Sequence, residues 1–174
     1  MASISKPTSK PTGSSSKVAS QLEAAQAHCR AQGSRLTAQR KEIYELLLRR
    51  GGSAKAYDLQ DDMRERHGRV APSTVYRALE FLMAQHLVHR VDALNTFVAC
   101  TAGHSAHQPL LLVCSRCQSV TELQDDAAYE AVRSKLRQAG SGFVESDIEV
   151  KGVCGKCLAL ERPAGRHAAA TAKG

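Results

Sequence analysis

Residues 72–99 read PSTVYRALEFLMAQHLVHRVDALNTFVA, and they predict a helix followed by a two-stranded ribbon. A proline suits the first turn of a helix, and the apolar side chains that follow recur at helical spacing at Val75, Leu79, Leu82 and Met83. Residues 87–91 and 96–99 are β-type runs, and the four residues between them favour a turn. The segment therefore predicts an amphipathic helix with a wing behind it.

Three further helices are predicted ahead of this segment. They cover residues 18–32, the stretch after the N-cap Thr37, and residues 56–67, and glycines end them at Gly33, Gly51 and Gly68. Several helices, a short connection before the last one, and then a ribbon are the order of a winged helix-turn-helix. The last helix of such a domain enters the major groove of DNA.

The polar face of the last helix carries the predicted DNA contacts. Arg77 can donate two parallel hydrogen bonds to guanine, and Tyr76 offers a ring to thymine methyls and a hydroxyl to phosphate. A plain solvated face is the alternative, but the helix order and a formal net charge of +7, with the basic excess ahead of the cysteine pairs, favour DNA. The predicted contact residues are Ser73, Thr74, Tyr76 and Arg77 in this helix, together with Tyr57 at the start of the preceding helix.

A small α/β unit is predicted behind the wing. Residues 110–114 and 119–123 are strand-like, Asp125 or Asp126 can cap a helix that reaches Gln138, and residues 143–150 form a further strand. A unit of this size buries little surface alone, so it is a natural place for a dimer contact. The fold class is thus α+β, with a winged-helix domain and a smaller α/β dimerisation domain.

Two Cys-x-x-Cys pairs predict a structural zinc site. Two residues between paired cysteines let both thiolates face one cation, and two such knuckles complete a tetrahedral sulfur shell. A disulfide framework or a redox pair is the alternative reading, but a redox motif needs one pair and a disulfide scaffold occurs in shorter secreted chains. The predicted ligands are Cys114, Cys117, Cys154 and Cys157.

A second group of possible ligands spans the junction between the two predicted domains. A thiolate, a carboxylate and two imidazoles could bind one Zn²⁺, and the soft sulfur favours zinc over Mn²⁺ or Mg²⁺. Each residue alone is a weak signal, and either of two connector histidines could supply the second imidazole. The group comprises His89, Cys100, His104 or His107, and Glu122, whereas Cys29 is expected to be a helix-packing thiol.

The remaining segments and absent motifs set the limits of the prediction. Residues 1–17 and 161–174 are expected to be a flexible basic arm and a flexible tail. No apolar run approaches the ~18 residues of a membrane span, so we expect a cytoplasmic protein without a membrane partner.

A zinc deaminase would show His-x-Glu and Pro-Cys-x-x-Cys, which the sequence lacks, so neither catalysis nor a small-molecule substrate is expected. A zinc-ribbon protein that binds DNA constitutively remains an alternative.

The run Leu36-Thr37-Ala38-Gln39-Arg40, the run at residues 72–79 and the two Cys-x-x-Cys pairs together resemble the ferric uptake regulator family of bacterial metalloregulators. The resemblance covers residues 20–160 and is strongest to the zinc-sensing members. It implies a homodimeric repressor with domains at 18–100 and 109–160, a hinge at 101–108, and two zinc ions per subunit. It also implies regulatory ligands at His89, Cys100, His107 and Glu122. A member that senses iron, manganese, nickel or peroxide is the nearest alternative.

The position of these ligands predicts how a metal would act. The ligands lie in a wing, a connector and a dimerisation domain, so they can meet only in one relative orientation of the two domains. Zinc would then be a co-repressor, with operator DNA bound when zinc is abundant and released when it is scarce. Such a protein would repress genes for zinc uptake.

Overall fold

The structure is a computed structural model that describes residues 15–101, 109–141 and 147–161. The N-terminal half, residues 15–101, contains four helices: α1 (Ser15–Ala31), α2 (Ala38–Arg49), α3 (Ala56–His67) and α4 (Pro72–Ala84). Its strands are β1 (Ser53–Ala54), β2 (Val88–Val91) and β3 (Thr96–Ala99), with a 3-10 turn at Asp92–Leu94 between the last two. The predicted winged helix-turn-helix is thus confirmed.

The C-terminal half, residues 109–161, contains the predicted strands and helix. They are β4 (Leu110–Cys114), β5 (Val120–Leu123), α5 (Asp126–Gln138) and β6 (Ile148–Gly152), and a short helix α6 (Gly155–Glu161) follows. Asp125 is the N-cap of α5, because its carboxylate accepts a hydrogen bond from the Ala128 backbone N–H at 2.9 Å. No described helix combines the length and the apolar character that a membrane crossing requires.

Several element boundaries differ from the sequence-based prediction. Helix α1 begins at Ser15, three residues earlier than expected, and β6 extends to Gly152 instead of residue 150. Residues 142–146, which belong to the predicted last strand, lie outside the described residues. The two-residue strand β1 and helix α6 were not predicted, since both are too short to show a periodic pattern.

The core of the N-terminal half joins one face of each helix. Ile43 and Leu47 of α2, Leu59 of α3, and Leu79 and Leu82 of α4 are completely buried. Gly51 and Gly52 have φ angles of +80° and +82°, a backbone conformation that glycine adopts without strain, and they turn the chain from α2 into β1. This core fixes α4 against α2 and α3.

Two polar contacts, an ion pair and a side-chain amide hydrogen bond, add to the apolar packing of the helices. Arg50, the C-cap of α2, donates to both carboxylate oxygens of Asp62 on α3, at 2.6 and 2.7 Å. Buried Gln60 donates its side-chain amide to the Val70 carbonyl oxygen at 3.2 Å, which ties α3 to the connection before α4. The first contact holds α3 against α2, and the second restricts the connection that leads into α4.

Two three-stranded sheets face each other across the junction of the halves. The N-terminal sheet has the antiparallel order β1-β3-β2, and the C-terminal sheet has the order β5-β4-β6, in which β4 and β6 are parallel. Val91 and Val98 of the wing pack with Leu111 and Val113 of β4 in one buried apolar cluster. We call this cluster the interdomain core. It places the wing against one face of the C-terminal sheet.

The Arg50–Asp62 pair generates a stability prediction. Arg50→Ala should lower the free energy of unfolding by about 1–2 kcal/mol, because it leaves a partly buried carboxylate without its charged donor. Arg49→Ala is the matched control: Arg49 pairs with Glu45 within α2 and is more exposed, so its loss should cost about 0.3–0.5 kcal/mol. Denaturant unfolding followed by circular dichroism measures both, and equal losses would contradict the bracing role.

Candidate metal centres and nucleic-acid interface

Four cysteines of the C-terminal half meet at one end of its sheet. Cys114 is the last residue of β4, and Cys154 follows β6 closely. Because β4 and β6 run parallel, their carboxyl ends lie at the same end of the sheet. Cys117 lies within the tight turn after β4, and Cys157 lies in the first turn of α6. The topology therefore brings both predicted knuckles together.

The geometry of the four sulfur atoms fits a tetrahedral zinc ion. The four Sγ atoms all lie within 4.8 Å of one another, and those of Cys117 and Cys154 are 3.6 Å apart. Zinc–sulfur bonds of about 2.3 Å imply a sulfur–sulfur edge of about 3.8 Å in a tetrahedron. All cysteines within the described ranges are free thiols, so the cluster does not hold a disulfide.

The thiols of this cluster differ strongly in acidity. Backbone N–H groups of Cys117 and Cys154 donate to the Cys114 sulfur and lower its pKa to about 6. The pKa of Cys154 is also lowered, first of all by the backbone N–H of Cys157. The pKa of Cys157 is raised to about 12, because its proton bridges to Cys117 and Cys154. Backbone donors thus favour thiolates, and a bound cation would remove the need for a shared proton.

A second cluster lies between the two halves and contains three of the predicted hinge ligands. His89 belongs to β2, Cys100 follows β3, and Glu122 belongs to β5. Their ligand atoms lie within 4.8 Å of one another. Glu122 Oε1 is 3.6 Å from His89 Nε2 and 3.7 Å from Cys100 Sγ, close to the edge lengths of a tetrahedral zinc shell. The side chains of His89 and Glu122 are only 5% and 4% exposed, so the cluster is shielded from water.

Neighbouring groups orient the side chains of this cluster. Glu122 Oε2 accepts hydrogen bonds from the Thr101 backbone N–H at 2.6 Å and the Thr101 hydroxyl at 2.7 Å, which leaves Oε1 directed at Cys100 and His89. Asp147 Oδ2 lies 3.1 Å from His89 Nδ1. A carboxylate on one imidazole nitrogen fixes the ring with its other nitrogen facing a metal, as in many zinc sites. Burial lowers the pKa of His89, but hydrogen bonds to Asp147 and Cys100 outweigh it and raise the pKa to about 9.

The fourth predicted ligand is not placed by the structure. His107 and the alternative His104 lie outside the described residues. The structure therefore brings together three of the four predicted hinge ligands. It also adds Asp147 and Thr101, which sequence reasoning missed. Asp147 is 58 residues from His89 in the chain, and no spacing rule links an aspartate at that distance to a histidine.

The candidate nucleic-acid interface is the outer face of α4. Ser73, Tyr76 and Arg77 are exposed and Thr74 is partly buried, while the opposite face buries Val75 and the apolar residues that follow it. Tyr57, at the start of α3, is 69% exposed, an unusual placement for a large aromatic side chain. A protruding helix with an exposed arginine and tyrosine can read base edges in a groove.

Comparisons with known proteins agree with this arrangement. The model of the ferric uptake regulator family matches residues 31–151. The zinc uptake regulation protein of Escherichia coli K12 is 34% identical over 141 residues, which are 80% of this chain and 82% of that protein. A zinc uptake regulator complexed with zinc and DNA superposes with a TM-score of 0.74 at 32% identity, covering 83% of this chain and 97% of that one. The holo form of XcZur gives a TM-score of 0.72 at 39% identity, covering 80% and 98%.

The cysteine cluster generates a metal-content prediction. A Cys154→Ser protein should hold about one metal ion fewer per chain and should melt at a lower temperature, because this site joins β4 to β6 and α6. Elemental analysis and calorimetry of the purified protein provide the two measurements. Cys29→Ser is the control, since Cys29 is buried in α1 outside both clusters. A Cys154→Ser protein with full metal content and wild-type melting would refute the site.

Proposed function

The chain belongs to the ferric uptake regulator family, and from that membership we propose that it is a zinc-responsive transcriptional repressor that binds operator DNA as a homodimer. The observation that carries the proposal is the cluster of His89, Cys100 and Glu122. Its three side chains come from the wing, the wing exit and the C-terminal sheet, so they approach one another only when the two halves adopt this orientation. A ligand that binds all three therefore selects that orientation.

We assign the domains as follows. The predicted bounds were 18–100 for the DNA-binding domain, 101–108 for the hinge and 109–160 for the dimerisation domain. We extend the first domain to start at Ser15 and the second to end at Glu161, where α1 begins and α6 ends. Partly exposed apolar residues on the C-terminal half suit the dimer contact: Leu123, Val132, Val150 and Leu158. A dimer presents two copies of α4, and half-sites about 34 Å apart would place them on one side of the DNA. Such a regulator acts where the chromosome is, in the cytoplasm.

Zinc is the metal that the ligand sets favour, with two ions per subunit. Four thiolates form a closed shell around a structural ion, and the hinge set combines a thiolate with imidazole and carboxylate. We assign His107 as the remaining hinge ligand, in agreement with the resemblance. Bound zinc supplies strong bonds to all of these ligands and no redox chemistry. Neither shell needs an open position, so we propose no catalytic role.

The chain's own residues define the switch. Thr101 and Asp147 hold Glu122 and His89 in the orientation that a metal requires. Without the hinge zinc, no metal bond would join the wing to β5 at this point. The two α4 helices of a dimer would then lose their fixed spacing. Shifting such an equilibrium from 1:99 to 99:1 takes about 5.5 kcal/mol of differential affinity, which a four-ligand site can provide.

The hinge cluster generates the test of the proposal. Cys100→Ser exchanges a soft thiolate for a poor hydroxyl ligand with little change in volume. The variant should stay a folded dimer, lose about one zinc per subunit, and bind operator in zinc no better than the metal-free wild type does. Metal-buffered titration of operator binding, run with Zn²⁺, Fe²⁺, Mn²⁺ and Ni²⁺, measures this and identifies the metal.

Cys29→Ser is the matched control, because the chemical change is the same at a thiol outside both clusters. His104→Ala should have little effect and His107→Ala a large one if His107 is the ligand. A wild-type zinc response in Cys100→Ser would refute the regulatory site. It would favour a protein that binds DNA constitutively.

The outer face of α4 generates a prediction about sequence preference. Arg77→Ala should weaken operator binding by about 1–3 kcal/mol and relax the preference at one base pair per half-site, because a bidentate contact to guanine is lost. Binding to operator and to random DNA, compared at several salt concentrations, is the measurement. Arg133→Ala in α5, which removes an arginine of the C-terminal half, is the control. An unchanged operator-to-random ratio in Arg77→Ala would contradict the assignment of α4.

A further inference from the structure

One carboxylate of the C-terminal sheet contacts the wing at a point separate from both cysteine and hinge clusters. Glu149, in β6, accepts hydrogen bonds from two consecutive backbone N–H groups at the start of the 3-10 turn between β2 and β3. Its Oε1 accepts from Asp92, and its Oε2 accepts from Ala93 at 3.0 Å. These bonds join parts of the chain that are 56 and 57 residues apart in sequence. We call this contact the wing clasp.

The register of the C-terminal sheet places the wing clasp beside the hinge cluster. Leu111 of β4 is paired with Glu122 of β5 on one side and with Glu149 of β6 on the other. The three residues therefore form one row across the sheet, and Leu111 is buried in the interdomain core. With strands about 4.8 Å apart, Glu122 and Glu149 hold the wing at two points about 10 Å apart. One of these points belongs to the metal site and the other does not.

The two kinds of interdomain contact restrict the wing differently. Apolar packing between the wing valines and β4 is non-directional, so it permits the sheets to slide or rotate. Hydrogen bonds from two adjacent backbone N–H groups to one carboxylate are directional and charge-assisted. They therefore hold the wing turn at one place on β6. Glu149 therefore favours the orientation in which the hinge ligands converge, and it does so without a metal.

We propose that Glu149 is a positioning residue that sets the zinc concentration at which the protein switches; this rests on the proposed function. When the converged orientation is a minority state in the absence of hinge zinc, the apparent zinc affinity is the intrinsic affinity reduced in proportion to that state's population. Removal of the wing clasp lowers the population and leaves every metal ligand and every DNA contact in place. The midpoint of zinc-dependent operator binding should move, and the affinity at saturating zinc should not.

Substitutions at Glu149 test the proposal in the full-length dimer. Glu149→Ala removes both acceptors and should raise the zinc midpoint by at least about ten-fold, because the loss of a single hydrogen bond to a charged group already has an effect of that size. Glu149→Gln keeps one acceptor oxygen and should give an intermediate midpoint. Glu130→Ala, which removes a carboxylate that pairs with Arg133 within α5, should leave the midpoint unchanged. Operator affinity in excess zinc and zinc content should match the wild type in all three variants.

A second measurement tests the wing clasp without hinge zinc or DNA. In wild-type protein whose hinge zinc has been removed by mild chelation, the backbone amides of Asp92 and Ala93 should exchange with deuterium more slowly than in Glu149→Ala treated identically. Equal exchange in the two proteins would overturn the clasp, as would a Glu149→Ala midpoint within two-fold of the wild type. If the wild type bound operator equally well with and without zinc, the proposed function would be refuted instead. Amide exchange would then be the sole test of the wing clasp.

Discussion

The packing of the wing ribbon against one face of the C-terminal sheet is the constraint on which the remaining features depend. Val91, Val98, Leu111 and Val113 exclude water from the junction. That burial brings a histidine of the wing and a carboxylate of β5 within 3.6 Å of each other. It also limits the orientations that α4 can take relative to the C-terminal half, because α4 shares its core with the strands of the wing. The hinge cluster and the orientation of the outer face of α4 thus both depend on this apolar contact.

The two ligand clusters differ in what they join, and this difference separates their roles. The four cysteines all belong to the C-terminal half, so a cation bound there would stabilise the fold of that half alone. His89, Cys100 and Glu122 lie on both sides of the junction, so a cation bound there would stabilise one arrangement of two folded parts. Backbone donors prepare the first set by lowering the pKa values of Cys114 and Cys154. Side chains prepare the second set, through Asp147 and Thr101.

The sequence predicted those features that depend on local periodicity or on short spacing. Thr37 was recognisable as an N-cap, and Asp125 was one of two candidates for the N-cap of α5. The four cysteines were recognisable as a cluster from their two Cys-x-x-Cys pairs. The positions of Asp147 and Glu149 were not predictable in this way. Their partners depend on the register of β6 against β4 and on how the two sheets pack, and neither is encoded in a local pattern. The cluster of His89, Cys100 and Glu122 was predictable only as a group, because each of these residues alone is a weak signal.

The parallel pairing of β4 with β6 has a consequence for the order of events during synthesis. Cys114 and Cys154 are 40 residues apart, with β5 and α5 between them, and they become neighbours only when β6 pairs with β4. Parallel pairs of this kind are non-local contacts and form slowly. Because 36 residues separate Cys117 from Cys154, translation supplies the first Cys-x-x-Cys pair before the second. A cation that met the nascent chain in that interval would find only two of the four sulfur ligands.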